Sequence, residues 1–213
     1  MFTTIPGKPF INNRLITITL SSNKIVQAPD LQGACDNVRN LYMDYNQLTY
    51  LPYNYFEGCT KLKLVAFVKN RLTAFPNFAP IGSSLTYIWF LGNYINTTIP
   101  KDAIAMHPNL TTLRLDYNRM SAFVISFCNQ TKQLECIANN NPFVTVENPY
   151  RDCVSRLPKF KLNLTDTQLL PCDEKICWMK QHGFELENVD PGYCPDGREW
   201  KYITKEELCP GTT

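Results

Sequence analysis

Apolar residues return in this chain with a period far longer than the repeat of a lone helix or strand. The period is plain once the chain is aligned on asparagine. Asn23, Asn46, Asn70, Asn93, Asn118 and Asn141 follow one another at nearly constant spacing. Five positions before each stand Ile18, Leu41, Val65, Ile88, Leu113 and Cys136, and three before stand Leu20, Met43, Phe67, Phe90, Leu115 and Ala138. Two positions after stand Ile25, Leu48, Leu72, Ile95, Met120 and Phe143. Eight before, Leu15, Val38, Leu62, Leu85 and Leu110 keep the phase, which fails at Gln133. Thr167 continues the series at a slightly longer interval, with Leu162, Leu164 and Leu169 in phase.

The pattern is L-x-x-L-x-L-x-x-N-x-L. Its L-x-L part is a short strand with alternate residues facing inward. The asparagine stands where the chain leaves the strand, positioned to satisfy buried backbone groups. The return segment carries Leu51-Pro52, Phe75-Pro76 and Ile99-Pro100 in near-equivalent phase, with Phe56 and Phe127 as bulk. One such unit cannot bury its own apolar face, so successive units must stack. The expectation is an α/β solenoid, a right-handed coil of about seven repeats over residues 15–169 with a parallel β-sheet on its concave side. Residues 1–14 form a lead-in, a truncated or atypical cap, and residues 170–213 a cysteine-rich C-terminal cap. Little helix is expected outside that cap.

Composition adds the compartment. Nine cysteines in 213 residues are unusual for a cytosolic chain without metal or redox chemistry. Four Asn-x-Ser/Thr acceptor sites, at Asn96, Asn109, Asn129 and Asn163, point the same way, toward an extracellular location with glycosylation. Pro6 and Pro9 interrupt any secretory leader at the start, so the chain is expected to begin short of its natural start or after a cleavage site. A net charge of +2 gives no ground for a nucleic-acid partner, and no apolar run approaches the roughly 20 residues of a membrane span. The two histidines, His107 and His182, stand in no catalytic motif. No enzyme activity, cofactor or metal is expected.

On these residues the chain resembles the extracellular leucine-rich-repeat family of animals, of the subtype with a convex phenylalanine as at Phe56. The resemblance implies a curved solenoid, partner binding on the concave sheet and cysteine-rich caps. Two departures are visible: no cysteine stands before the first repeat, and none follows Asn141-Pro142-Phe143 at once. Cys172, Cys177, Cys194 and Cys209, with Trp178 and Met179 opening a helix, look like the family's C-terminal cap, although its first pair is spaced widely. The family's first-to-third and second-to-fourth pairing then implies Cys172–Cys194 and Cys177–Cys209. A four-cysteine zinc site is the rival reading, disfavoured by the lack of C-x2-C spacing. Thr204 and Glu207 form a capping box for a last short helix.

The remaining cysteines are placed by phase. Cys35 and Cys59 stand at nearly the same offset from Asn23 and Asn46, in adjacent turns, within disulfide reach. Cys128 and Cys153 stand in the corresponding segments after Asn118 and Asn141, a looser match for a second such bond. Cys136 remains at an inward strand position, a buried free thiol, with an intermolecular bond as the alternative.

Strand residues that point outward line the concave side. The position between the two strand leucines gives Thr19, Tyr42, Ala66, Trp89, Arg114, Ile137 and Asn163, and its neighbours include Asp44, Tyr45, Leu64, Val68, Tyr87, Leu91, Asp116 and Tyr117. The candidate binding residues are Tyr42, Asp44, Tyr45, Tyr87, Trp89, Arg114, Asp116 and Tyr117, because Tyr, Trp and Arg dominate interface energetics. The expected function is recognition of a protein or glycan ligand by a secreted or cell-surface module, of innate-immune or adhesion type. The alternative is a structural extracellular-matrix component without a dedicated ligand site. Oligomeric state is not legible.

Overall fold

The computed structural model describes residues 1–11, 14–127, 129–146, 160–164, 166–167, 172–177 and 193–211. Its main sheet is parallel and seven-stranded. In order along the coil it runs β1 (Thr17–Thr19), β2 (Asn40–Tyr42), β3 (Leu64–Ala66), β4 (Tyr87–Trp89), β5 (Thr112–Arg114), β7 (Leu134–Ile137) and β9 (Phe160–Asn163). Each strand pairs with the next in unbroken register, Ile18 with Leu41, Leu41 with Val65, Val65 with Ile88, Ile88 with Leu113, Leu113 with Cys136 and Cys136 with Leu162. This is the row five positions before each asparagine, and all its members are buried. A second sheet, not foreseen from the sequence, pairs β6 (Ala122–Phe123) with β8 (Thr145–Val146) in the turns after β5 and β7.

The asparagines close the coil. Asn93 Nδ2 donates to the carbonyls of Phe90 in its own turn, 3.0 Å, and Phe67 in the turn before, 2.8 Å, while its Oδ1 accepts the Leu72 N–H at 3.0 Å. Asn46, Asn70, Asn118 and Asn141 repeat this pattern, each bridging its own turn to the preceding one. One carboxamide thus satisfies several backbone groups that stacking removes from water.

The residue just before each bridging position is left-handed: Ser22, Tyr45, Lys69, Gly92, Tyr117, Asn140 and Asp166 have φ between 51° and 69°. The neighbouring ladder over-determines this conformation, which an L residue otherwise avoids. Gly92 has a further reason, since a Cβ there would stand 3.0 Å from Lys69 Cγ.

The lead-in substitutes for a missing turn. Phe2 N–H donates to Asn23 Oδ1 at 2.8 Å, as Ile25 N–H does to Asn46 at 3.0 Å. Lys24 and Val26 N–H groups bond the carbonyls of Phe2 and Thr3. Phe10 is buried, and its carbonyl lies so close to Gly33 that a Cβ there would collide with the oxygen. Among the described residues no strand pairs with the outer edge of β1, and Leu15, which keeps the inward phase, is 39% exposed there.

The core is a stack of rings behind the sheet. Phe56 stacks on Phe78 at 5.1 Å and Phe67 on Phe90 at 5.2 Å, while Phe123 meets Phe127 and Phe143 at 6.2 and 5.7 Å. Among the described residues the return segments are otherwise mostly turns, with a 3-10 stretch at Ala79–Ser84 besides the short strands β6 and β8. Among the described residues the α-helical part is α1 (Lys205–Leu208), capped by Thr204 and Glu207 in a reciprocal box.

Cys35–Cys59 bridges two adjacent return segments. Cys172–Cys194 and Cys177–Cys209 tie the C-terminal region, with Cα separations of 5.5 and 5.2 Å. As disulfides these four sulfurs are not thiolates, which removes the zinc reading of the cap. Cys136 is free and buried. The pairing Cys128–Cys153, the cap helix at Trp178 and Met179, and His182 lie outside the described residues.

Candidate binding face of the sheet

Strand register turns sequence phase into two rows on the solvent side of the sheet. One runs Asn40, Leu64, Tyr87, Thr112, Glu135; the other runs Tyr42, Ala66, Trp89, Arg114, Ile137, Asn163. Tyr87 and Trp89 share β4 and meet edge to face, centroids 6.0 Å apart. Tyr87 is 37% exposed, and Tyr42, Trp89 and Arg114 are half-buried. The Trp89 indole N–H is buried with no hydrogen-bond partner among the described residues, a donor held in place inside an aromatic patch.

Beside the patch Arg114 folds over Asp116. Its Nε donates to Oδ1 at 3.2 Å and its Nη2 to Oδ2 at 3.0 Å. The carboxylate is 2% exposed and the guanidinium side chain 37%, so the pair presents a cation to solvent. Asp44, half-buried at the same margin, accepts the Val68 N–H at 2.8 Å. Burial raises its pKa, and the bonds to Val68 and Ser21 oppose that shift.

Five of the residues expected on this face are not open strand positions. Ala66 and Leu64 are buried, because Ala66 sits between the larger Tyr42 and Trp89 and Leu64 lies beside Tyr87. Asp116 is a buried counter-ion rather than a contact residue, since the guanidinium covers it. Tyr45 and Tyr117 are exposed, but their left-handed backbone places them in the turn beyond the strand ends. The sheet patch is therefore Tyr42, Tyr87, Trp89 and Arg114. Glu135 is exposed in the Tyr87 row and was missed; its phase is the signal that finds it.

The return side has its own recess of about 540 Å³ lined by Tyr50, Tyr53, Phe75, Phe78, Ala103 and Met106. Asn96, Asn109 and Asn129 are exposed, and Asn163 is half-buried on β9 between buried Leu162 and Leu164. Among the described residues no helix is long and apolar enough to cross a membrane.

Stacked parallel strands of three or four residues, an asparagine ladder and a phenylalanine spine define a leucine-rich-repeat solenoid. No family model matches the chain. Human fibromodulin is 32% identical over 117 residues, 54% of this chain and 29% of fibromodulin. Toll, in its glycosylated Drosophila complex with Spatzle, superposes with a TM-score of 0.67 over 92% of this chain and 29% of its own at 18% identity. The APL1 leucine-rich repeat domain gives a TM-score of 0.54 over 72% of this chain and 46% of its own at 20% identity. The chain thus spans less than half the length of each. These likenesses establish the fold, and the first of them adds a sequence relationship to a protein with the same kind of repeat.

Proposed function

We propose that this chain is an extracellular recognition module that acts by binding a protein through the solvent side of its sheet, centred on Tyr42, Tyr87, Trp89 and Arg114. The observation that carries the reading is Trp89. A half-buried indole with an unpaired N–H, braced by Tyr87 and beside a bidentate-held Arg114, is costly on a surface without a partner. Neighbouring strands supply the patch, so its geometry is fixed by backbone pairing rather than by a loop. The Toll structure, a complex with Spatzle, supports protein recognition as the kind of task this fold performs. The disulfides support an oxidising compartment, with glycans at the exposed acceptor asparagines.

The test is a binding screen of the purified chain against extracellular protein domains, with each hit re-measured on variants. Trp89→Ala weakens a genuine sheet-face partner by about 2 kcal/mol, as hot-spot truncations do. Lys101→Ala, on the return side, leaves it unchanged. Equal losses from both would move the site off the sheet.

A further inference from the structure

We propose that the turn side of the solenoid, next to the asparagine ladder, binds a linear sulfated glycan lying along the coil axis. This surface is separate from the sheet patch, and the inference does not depend on that reading.

Two rows flank the buried asparagines there, and hydrogen bonds between turns hold both in register. In the first, Ser22, Tyr45, Lys69, Gly92 and Tyr117 each donate the backbone N–H to the following turn, at 2.7–3.0 Å. In the second, Lys24, Gln47, Arg71, Tyr94 and Arg119 each donate to the preceding turn, at 2.8–2.9 Å. Successive members of a row are therefore one turn apart, about 5 Å. Over these five turns the rows carry Lys24, Lys69, Arg71 and Arg119 and no carboxylate. All four cations are exposed, and none forms an ion pair among the described residues. In the second row the cations recur every second turn, roughly 10 Å apart.

The aromatics between them select the polymer. Tyr45, Tyr94 and Tyr117 are 53%, 42% and 58% exposed, more open than any ring of the sheet patch. Lys69 lies over the Tyr45 ring at 5.4 Å, and Arg119 over the Tyr94 ring at 4.3 Å. A guanidinium resting on a ring keeps its N–H edge free for a bidentate contact with a sulfate or carboxylate. The Tyr117 ring, 58% exposed, offers a flat apolar face to the C–H side of a sugar. A recess of about 440 Å³ bounded by Tyr94, Tyr117, Arg119 and Pro142, with Asp166 in its wall on the far side, gives one sugar unit a seat.

The neighbouring acids do not cancel this charge. Asp116 is covered by Arg114, and Asp44 is half-buried against the Val68 N–H. Asp166, bonded to Asn140 at 3.3 Å, is exposed and closes the far end of the strip. Rigid, evenly pitched rows suit a linear polymer with regular charge better than an acidic protein, whose carboxylates have no such spacing. The disulfide-bonded fold argues for an oxidising compartment, which favours a sulfated glycan over a nucleic acid.

The experiment uses the full chain on immobilised heparin, a highly sulfated linear glycan, read as affinity across a salt series. The expected result is binding that weakens steeply with salt. The triple reversal Lys24→Glu, Arg71→Glu, Arg119→Glu, all at exposed positions, loses roughly tenfold or more. Tyr45→Asn, which keeps a residue tolerant of the left-handed backbone, loses a smaller factor. Trp89→Ala binds heparin normally. Unchanged affinity in the triple variant, with its thermal transition intact, overturns the proposal. So does equal competition by polyglutamate or duplex DNA of matched charge, which would reveal a charge effect without sugar recognition.

Discussion

Arg114 closes over Asp116 with two parallel hydrogen bonds, of 3.2 and 3.0 Å, leaving the carboxylate almost fully buried while the guanidinium stays open to solvent. The pair is both part of the sheet and part of its surface. Removing the arginine strands a buried charge, so Arg114→Ala is expected to destabilise the fold by roughly 1–3 kcal/mol before any ligand is considered. Arg114→Ala with Asp116→Asn relieves most of that loss. Chemical denaturation of the single and double variants checks this, and equal losses in both would show that the pair contributes nothing by its charge.

Loss of a ladder asparagine is expected to cost more stability than loss of an exposed side chain. Asn93→Ala removes a donor to the Phe67 and Phe90 carbonyls and an acceptor for the Leu72 N–H. At about 1–3 kcal/mol for a buried group left unpaired, the loss is several kcal/mol. Asn93→Asp keeps the shape and the acceptor but cannot donate, so it recovers little. Asn96→Gln, at an exposed position nearby, leaves the unfolding midpoint in place.

His107 makes the fold acid-sensitive. The ring is fully buried against Phe78, and desolvation lowers its pKa below the ordinary 6.5, with the Gly82 backbone opposing. The unfolded chain then binds the proton more readily than the folded one, so stability is complete above about pH 6.5 and falls as pH drops below it. Asp44, whose pKa is raised, works in the opposite sense at lower pH, favouring the folded state as its carboxylate is protonated. Melting the wild type and His107→Phe between pH 7.5 and 5 tests this. The wild type loses thermal stability on acidification and the variant loses less; parallel curves would remove His107 from the explanation.

Two cysteine experiments separate bonded from buried sulfur. Replacing Cys35 and Cys59 together with serine opens a cross-link between adjacent turns and costs about 2–4 kcal/mol. Cys136 is a free thiol inside the core, its pKa raised by burial and by the charges of Asp116 and Glu135. It is expected to resist maleimide in the native chain and to label after denaturation, read by mass spectrometry of its peptide. Native labelling at Cys136 would mean the turn after β5 opens readily.

Material from a secretory host is expected to carry glycans at Asn96, Asn109 and Asn129, all exposed, with Asn96 the most fully occupied because the Asn109 and Asn129 carboxamides donate to the Ser83 and Ala105 carbonyls at 3.2 Å. Asn163, half-buried in β9, is expected to be the least occupied. Site occupancy from glycopeptide mass spectrometry decides the order.

The sequence alone determined the coil, because each turn solves the same problem with the same residues. A leucine that must be buried, a short strand and an asparagine that must bond backbone groups recur at one phase, so Leu41, Leu113 and Asn93 reveal their places without neighbours. It also determined the adjacency of Cys35 and Cys59, since equal phase in adjacent turns means proximity. What it left to the tertiary structure is everything that depends on the turn next door. Ala66 is buried because Tyr42 and Trp89 flank it, Asp116 because Arg114 folds over it, and Leu15 is exposed because no strand among the described residues pairs with the outer edge of β1. The same holds for the lead-in, whose Phe2 takes a place in the ladder that no repeat pattern announces. Tyr45 and Tyr117 continue the inward alternation of Leu41–Met43 and Leu113–Leu115, and only the backbone, turning left-handed just before the asparagine, carries them off the sheet and out onto the turn. Phase fixes where a residue lies within its own turn, while exposure and pairing are set by side chains in the next turn, a full repeat away along the chain.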